Sequence, residues 1–357
     1  MPNQMSKPVQ KVLILGIDCL RKKNHHQLVS MGKDYHFVVL QTNPAMDPIP
    51  DELTATNQIV MAEKTAFKRL IQVITLVKEN RHHTNHAEIY PGGRFSFIYL
   101  LVCRAYGLKT ITVERGDILA YSHSSIITKI SLSICYKYAD LIWYREYYMK
   151  EILEKMGCKN LVFIPNAVPI PDISHAQKKQ YDLLWVNRLI PERKSEWILE
   201  TMQKVQFSQV TSAIVGLLHH PKSPCYPLEK ALIDHHPKTM RLFGFTDPSE
   251  FYKKSKFFIL PSDLVFANYS LLEAMSYGLV PIVSEVSGTN QLVQNNKNGL
   301  TFTHTKEGFE AAVKTAINLT EAQYNDLSNA ARKTIMTKFS IDSYQEKLKK
   351  MYQEITR

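Results

Sequence analysis

Short apolar runs alternate with polar loops and helical patterns along most of this chain. The runs that have strand length cover residues 11–15, 35–41, 110–113, 138–143, 181–186, 210–216, 257–260 and 280–283. Apolar runs without polar alternation are typical of strands buried on both faces of a parallel sheet. The repeated order of strand, loop and helix therefore predicts an α/β chain.

Helical spacing of apolar residues predicts helices over 67–77, 95–106, 306–319, 321–339 and 340–357. The first of these is amphipathic and basic, with Lys68, Arg69 and Lys78 beside its apolar positions. Two interpretations stay open for it: a helix packed on the sheet with a solvated outer face, which we favour, or a membrane-surface contact.

The stretch 256–301 contains two successive strand-loop-helix units. Ser270 and Glu273 have the spacing of a capping box, which predicts that a helix begins there and ends near Gly278. A second helical turn is expected at 287–290. Both helix N-termini would point to the edge where an open α/β sheet binds ligands, and such N-termini favour anions such as phosphate.

Length and composition predict two cytoplasmic domains. The 357 residues are more than one domain of ordinary size contains, and a hydrophobic fraction of 45% is enough to form two hydrophobic cores. The five cysteines are scattered without metal or redox spacing, which favours a reducing compartment. We expect no signal peptide before the strand at Val12, and the apolar run 97–103 is too short to span a bilayer.

The formal net charge is +11, and it is unevenly distributed. Residues 1–168 carry 21 lysines and arginines against 14 aspartates and glutamates, a net charge of +7. A basic N-terminal half suits anionic lipid, an acidic glycan or nucleic acid. No nucleic-acid module is recognisable, so that partner is not expected. The alternative is an alkaline protein with solvated lysines.

Two loops that follow predicted strands carry candidate chemistry. Arg188, Arg193 and Lys194 follow the strand 181–186, where cations would stabilise a departing diphosphate as its charge grows. Glu114 and Arg115 follow the strand 110–113. Two interpretations stay open for them: contact with a ligand at the edge of the sheet, or a mutual surface ion pair.

The histidines of 82–86 predict a polar surface loop rather than a zinc site. No acidic pair lies at a strand end, so we expect no required metal. The glycine-x-glycine spacing of dehydrogenases is absent after the first strand.

The string PS-(loop)-SLLEAMSYGLVPIVS-(loop)-G, from Pro261 to Gly288, resembles the nucleotide-sugar signature of retaining GT-B glycosyltransferases of family 4. The family has two glutamates eight positions apart. Glu273 matches the second, which holds the donor ribose in the family. The first falls on Val265, which cannot make the family's contact to the donor sugar; Asp263 or Asn268 is the expected replacement.

The resemblance implies further donor contacts. Gly16 would let the first loop approach the donor diphosphate, and Phe243 or Phe245 would lie near the base. Tyr269 and Ser270 open the helix that carries Glu273. Among the cations, Arg188 matches the family's arginine, Arg193 replaces its lysine and Lys194 is additional.

In the first half, the loop after 110–113 resembles a subset with a Ser-Glu-Arg sequence. There Glu114 would orient the acceptor hydroxyl, and Arg115 would bind a sugar hydroxyl or an acceptor carboxylate or phosphate.

The resemblance implies a GT-B fold, in which two Rossmann-like, doubly wound domains face each other across a cleft. The acceptor domain would be 1–168, the nucleotide-sugar domain 169–339 after a proline-rich linker, and 340–357 a helix that packs back on the first domain. The implied activity is transfer of a hexosyl or N-acetylhexosaminyl group with retention, from a UDP-, GDP- or ADP-sugar and without cofactor or metal.

The implied acceptor is a glycan or a lipid-linked molecule in cell-surface polysaccharide or glycolipid synthesis. The basic charge of the first half suggests that the protein works at the inner face of the cell membrane. Three alternatives stay open. One is a nucleotide-sugar-binding protein without transfer activity, which Val265 motivates. The others are a GT-B epimerase and an anion-binding interaction module.

Overall fold

The computed structural model describes residues 10–45, 49–118, 121, 123–173, 178–218, 220–223, 225–266 and 268–356. They form two compact units. Unit 1 contains the described residues up to Pro165 and those from Ile341 onward, and unit 2 is Asn166–Ser340. The predicted divisions after residues 168 and 339 lie three residues and one residue from these boundaries.

Unit 1 is built on a seven-stranded parallel sheet in the order β3-β2-β1-β4-β5-β6-β7. Its strands are β1 (Gln10–Ile17), β2 (Tyr35–Gln41), β3 (Gln58–Met61), β4 (Thr84–Ile89), β5 (Lys109–Glu114), β6 (Leu141–Tyr144) and β7 (Leu161–Phe163). Its helices are α1 (Lys22–Met31), α2 (Asp51–Thr56), α3 (Ala66–Asn80), α4 (Ser96–Ala105), α5 (Ile126–Tyr138), α6 (Met149–Lys155) and α14 (Ile341–Ile355).

Unit 2 has a six-stranded parallel sheet in the order β10-β9-β8-β11-β12-β13. Its strands are β8 (Tyr181–Val186), β9 (Ser212–Leu217), β10 (Met240–Gly244), β11 (Ser255–Leu260), β12 (Val280–Glu285) and β13 (Leu300–Thr303). Its helices are α7 (Ser195–Met202), α8 (Tyr226–His235), α9 (Ser249–Lys254), α10 (Tyr269–Ser276), α11 (Thr289–Leu292), α12 (Lys306–Ile317) and α13 (Glu321–Lys338). Two 3-10 turns, Pro191–Arg193 and Val205–Phe207, flank α7.

Both sheets are therefore doubly wound and Rossmann-like, as predicted. In each, the first and fourth strands are neighbours from which the chain proceeds in opposite directions: β1 and β4 in unit 1, β8 and β11 in unit 2. Loops that leave such a pair diverge and open a crevice at the carboxyl ends of the strands. Each unit thus has one topological ligand position.

One central strand was missed by the apolar pattern. His86 was expected in a polar surface loop, but it lies in β4 and is buried, as is Glu88. Ala87 and Ile89 face the cluster of apolar side chains on the opposite side of the sheet. The polar side of β4 is covered by α1 and α14: Gln27 Nε2 donates to Glu88 Oε1 (2.8 Å), and the Tyr352 hydroxyl donates to the same oxygen. Buried partners therefore replace the apolar alternation that a strand usually shows.

The last helix belongs to unit 1, as predicted for a C-terminal helix that returns to the first domain. Its Tyr352 ring lies 4.3 Å from the His86 ring and 5.1 Å from the Tyr35 ring, between ring centroids. None of the helices in the described part of the chain is long and apolar enough to cross a membrane.

The start of α10 corrects a prediction. Ser270 and Glu273 do not form a capping box, because the helix begins one residue earlier at Tyr269. Its N-cap is Asn268, whose Oδ1 accepts a hydrogen bond from the Leu271 amide (3.1 Å). Glu273 therefore lies beyond the first turn and has no capping role.

Candidate functional site

The loops that follow β8 and β11 meet at the carboxyl edge of the unit 2 sheet. The Asp263 amide donates to the Glu192 carbonyl (2.8 Å), and the Ser262 hydroxyl donates to the same carbonyl (3.3 Å). Asn268 Nδ2 donates to Asn187 Oδ1 (3.4 Å). These bonds join residues 187–194, here called the cationic loop, to the segment that leads into α10. The two loops predicted to form the donor site are therefore in direct contact.

A glycine fixes the position of Asn187. Gly216, the penultimate residue of β9, has φ +117°, and a Cβ at this position would lie 2.6 Å from the Asn187 carbonyl oxygen. Any side chain here would push the cationic loop away from the sheet. The sequence signal was a single glycine in a strand pattern, which usually indicates close backbone approach.

The three predicted cations have different surroundings. Arg193 is half-buried and donates from Nη1 to Asn187 Oδ1. Burial, together with the nearby charge of Arg188, lowers the pKa of Arg193 to about 10. Lys194 has a left-handed backbone (φ 47°) and pairs with Asp263, with 3.2 Å between Nζ and Oδ2. Arg188 is exposed, and within the described ranges it forms no ion pair or side-chain hydrogen bond.

Asp263 joins Lys194 to a residue that sequence reasoning missed. His304 follows β13, and its Nε2 lies 2.8 Å from Asp263 Oδ1. The His304 ring packs on the Trp197 ring with 5.1 Å between centroids. No local pattern links positions 263 and 304, so only the fold shows this contact.

Val265 stands where the resemblance places the family's first glutamate, and it is fully buried. The adjacent Phe266 is also buried and packs edge-on against Phe339 (6.2 Å between centroids). This part of the loop is core in this protein. Of the two expected replacements, Asn268 is occupied as a helix cap and Asp263 by Lys194 and His304.

Glu273 is half-buried on α10, and its Oε2 accepts a hydrogen bond from the Tyr252 hydroxyl (3.0 Å). Burial raises the pKa of Tyr252 well above its usual range, and the charge of Glu273 adds to this. Ser270 also contacts the Tyr252 hydroxyl. The Tyr252 hydroxyl thus helps to orient the Glu273 carboxylate on α10, the helix that follows β11.

The aromatic candidate for the base lies in an aromatic cluster. The Phe243 ring packs against Phe251 (4.6 Å between centroids) and Tyr181 (6.5 Å). Phe245, immediately after β10, is 82% exposed. A base contact from this strand stays a prediction, and Phe245 is the freer of the two rings.

The loop after β12 contributes a surface cavity of about 840 Å³ beside Ser287 and Gly288. Gly288 has φ +82° at the start of α11, and Thr289 closes the turn by donating from its hydroxyl to the Ser284 carbonyl (2.9 Å). Neither Arg188 nor Glu273 lines this cavity. Among the described residues, no group of three or more His, Cys, Asp or Glu side chains could hold a metal ion.

In unit 1, Gly16 lies near the end of β1 with φ +81°. A Cβ there would lie 2.8 Å from the Tyr99 ring and 2.9 Å from the Tyr90 carbonyl oxygen. The glycine is therefore required by packing between β1 and the loop after β4. Its predicted approach to a diphosphate stays a prediction.

Glu114 and Arg115 do not form the surface ion pair that was one of their two interpretations. Glu114 is fully buried and accepts hydrogen bonds from the Tyr136 hydroxyl and the Gly116 amide (2.6 Å). Burial raises the pKa of Glu114 to about 7, and the charge of Asp117 adds to the rise. The Arg115 guanidinium instead lies over the Tyr90 ring, 4.4 Å from its centroid. Glu114 shapes the loop that presents Arg115.

Most of unit 2 matches the model of a known protein family. Residues 169–334 match the family model described as glycosyl transferases group 1. No curated protein sequence is similar enough to this chain to count as a relative.

Three solved structures have the same fold over nearly the whole chain. A glycosyltransferase from Rickettsia africae is 13% identical, with a TM-score of 0.77 over 98% of this chain and 99% of that one. Sucrose-phosphate synthase from Thermosynechococcus elongatus is 14% identical, with a TM-score of 0.76 over 97% and 99%. HepE from Anabaena, in complex with UDP-glucose, is 12% identical, with a TM-score of 0.74 over 96% and 99%. At these identities the likeness concerns the fold, which is GT-B.

Proposed function

We propose that this chain transfers a sugar from a nucleoside-diphosphate sugar to an acceptor hydroxyl with retention of configuration. The match of residues 169–334 to the family model described as glycosyl transferases group 1 supports this proposal. The observation that carries the proposal is the hydrogen-bonded junction of two loops at the unit 2 switch point. One loop supplies Arg188, Arg193 and Lys194, and the other leads into the helix of Glu273.

In the proposed site, Arg188 and the half-buried Arg193 bind the donor diphosphate. Arg188 has no ionic partner among the described residues, and Arg193 carries a pKa lowered by burial and by the charge of Arg188. An anion between the two guanidinium groups relieves that repulsion. Because the diphosphate gains charge as the glycosidic bond breaks, these cations stabilise the transition state more than the bound donor.

Glu273 is the proposed partner of the ribose hydroxyls. Its carboxylate is oriented by Tyr252, and a fixed acceptor of this type suits two adjacent hydroxyl donors. In the proposed reaction the acceptor oxygen forms a bond to the anomeric carbon while the bond to the diphosphate breaks. The acceptor proton leaves with the diphosphate, so the step needs no further base.

The donor sugar would meet the ion-paired group Lys194, Asp263 and His304 rather than a glutamate at 265. We propose a hexose or N-acetylhexosamine donor and no required metal. The complex of Anabaena HepE with UDP-glucose makes UDP the first nucleotide to test.

A thermal-shift panel tests the donor proposal. The protein is heated with UDP, GDP, ADP and their hexose and N-acetylhexosamine derivatives. Ligand at about 100 times its Kd stabilises a native state by about 2.7 kcal/mol, so one base should raise Tm by about 2 °C or more. EDTA should leave this shift unchanged if no metal is required. No shift with any nucleotide would contradict the proposal.

Val265 favours a second candidate, a nucleotide-sugar-binding protein without transfer activity. Its buried, apolar side chain stands where the family has the carboxylate that contacts the sugar. Release of nucleoside diphosphate in the presence of acceptor glycans separates the two functions. Release above the acceptor-free rate supports the transferase, whereas saturable binding with no release over a broad panel supports the second candidate. An epimerase would change the donor alone, which NMR detects.

We also propose that unit 1 contacts an anionic membrane, where a lipid-linked or glycan acceptor of a cell-surface polymer would be presented. Six exposed apolar side chains define the apolar helix face: Phe67, Ile71, Leu101, Ile126, Ile127 and Ile130. Phe67 is 72% exposed and Ile126 76%. They lie on α3, α4 and α5, which are neighbours: Arg69 covers the Phe95 ring that precedes α4, and the Phe97 amide donates to Ser131 Oγ (3.2 Å).

The charge of the same three helices fits an anionic surface. Together they contain six lysines and arginines and a single acid, Glu79. Apolar side chains beside cations favour the interface of a membrane that contains anionic lipid. The amphipathic helix at 67–77 was predicted, whereas its continuation onto α4 and α5 appears only in the fold.

Vesicle sedimentation tests this contact. The protein should sediment with phosphatidylglycerol vesicles and much less with phosphatidylcholine vesicles. Changing both Ile126 and Ile127 to serine should weaken binding by about tenfold or more, because apolar insertion is lost. Val205→Ser, at a still more exposed position in unit 2 (88%), is the control and should bind normally. Equal sedimentation of the double variant would exclude this face.

A further inference from the structure

The carboxyl edge of the unit 1 sheet gathers arginines from three different loops. Arg21 follows β1, Arg115 follows β5 and Arg145 follows β6, and Tyr90 follows the adjacent β4. β1 and β4 are the pair at which the strand order of unit 1 reverses. The arginines therefore surround the position where the topology opens a crevice.

Arg115 is held on an aromatic ring and forms no ion pair within the described residues. Its guanidinium carbon lies 4.4 Å from the Tyr90 ring centroid, and its Nε is buried with no hydrogen-bond acceptor in the described part of the chain. Buried donors in folded proteins almost always have a partner, so an unused one at a ligand position points to a ligand.

A second arginine, which is buried, adds to the positive charge. Arg145 is 5% exposed, and its guanidinium carbon lies 4.4 Å from the Trp143 ring centroid. Its charge and that of Arg115 both act on the Tyr90 hydroxyl, and Arg21 acts on Arg115. Stacking on aromatic rings fixes the planes of these two guanidinium groups before any ligand binds.

Four acidic side chains also lie near this edge. Asp117 is close enough to act on Arg115, and Asp18 lies 3.9 Å from the half-exposed Arg21. Glu88 and Glu114 are fully buried, and burial raises the pKa of both carboxyl groups, which disfavours their charged forms. Arg115, whose buried Nε has no acceptor among the described residues, therefore suits an anion rather than a neutral sugar hydroxyl alone.

We propose that the acceptor bound by unit 1 carries an anionic oxygen group, a phosphate or a carboxylate, which Arg115 binds through its guanidinium fork while Arg145 supplies a second fixed charge. This inference rests on the proposed function, since it names the chemistry of the acceptor. It adds a requirement that sugar transfer alone does not make: an acidic acceptor.

The test is ³¹P NMR of inorganic phosphate added to the full chain without nucleotide, and Arg188→Ala measures how much of the phosphate binding comes from the cations of unit 2. Wild-type protein should broaden the phosphate signal, and Arg115→Gln should weaken this binding by about tenfold or more, the effect of losing a charged hydrogen-bonding group. Arg115→Lys keeps the charge without the fork and should bind with intermediate affinity. Arg81→Gln, an exposed arginine before β4, is the matched control.

Competition identifies the anion. Displacement by glycerol 3-phosphate but not by glucuronate assigns a phosphate, and displacement by glucuronate assigns a carboxylate. Displacement by neutral glucose, or equal phosphate broadening in Arg115→Gln and wild type at unchanged Tm, overturns the proposal. Nucleotide binding to the same proteins is measured separately. If wild type binds no nucleotide, the donor site is refuted. If wild type binds nucleotide but no phosphate, only the anion site is refuted.

Discussion

Several ionisable side chains of this protein are buried, and their surroundings decide what each can do. Glu273 and Arg193 keep a polar partner at the candidate donor site, whereas Glu114 is enclosed by hydrogen-bond donors of its own loop. His86 is the extreme case: it is 2% exposed, and neither ring nitrogen has a hydrogen-bond partner among the described residues. A histidine in such a site stays neutral, because its cation would lose its hydration.

His86 predicts a pH-dependent stability. Burial lowers its pKa to about 4 in the folded state, so the unfolded chain takes up the proton first as pH falls below about 6.5. Wild type should lose stability relative to His86→Leu between about pH 6.5 and pH 4, by about 1.4 kcal/mol per pH unit at most. Urea unfolding of both proteins at several pH values measures the difference.

The comparison with the variant is needed because Glu114 changes the free energy of unfolding with pH in the opposite direction to His86. Its raised pKa means that the folded state holds a proton that the unfolded state has lost, so stability from Glu114 declines as pH rises from about 4.5 through about 7. Unfolding curves for wild type and His86→Leu that stay parallel at all pH values would show that His86 is not buried as a neutral group.

At the scale of elements, the sequence predicted those strands whose residues are apolar on both faces, such as β8 and β2, to the residue. It failed for β4, because His86 and Glu88 face helices that are distant in sequence. The start of α10 failed for a related reason: Ser270 and Glu273 match a capping box, but Asn268, held near Asn187, is the actual cap. Local patterns cannot show which of two capping residues the tertiary structure selects.

The cap of α10 gives a stability prediction with an internal control. Asn268→Ala removes the side-chain acceptor of the Leu271 amide and should cost about 1 kcal/mol of unfolding free energy. Ser270→Ala lies inside the first turn and should cost clearly less. The measurement is chemical denaturation of both variants. A larger cost at Ser270 would restore the capping box as the helix start.

At the scale of the whole molecule, two doubly wound units each contribute one switch point, and each of these carries arginines. The cationic loop 187–194 and Glu273 were predictable, because they are local in sequence and follow recognisable strands. His304 beside Asp263 and the arginines around Tyr90 were not, since each set comes from loops that only the strand order brings to one edge. The sequence thus predicts the proposed donor-binding residues of unit 2. Only the fold shows that arginines gather at the carboxyl edge of the unit 1 sheet.

The central claim is that Arg188 and Glu273 bind one nucleoside-diphosphate sugar. Isothermal titration calorimetry with the nucleotide selected by thermal shift tests it most directly, using Arg188→Ala, Glu273→Gln and the control Arg241→Ala, an exposed arginine near the amino end of β10. We predict that each of the first two variants weakens binding by about tenfold or more, at unchanged Tm without ligand, and that the control binds as wild type. Wild-type affinity in both Arg188→Ala and Glu273→Gln would contradict the account.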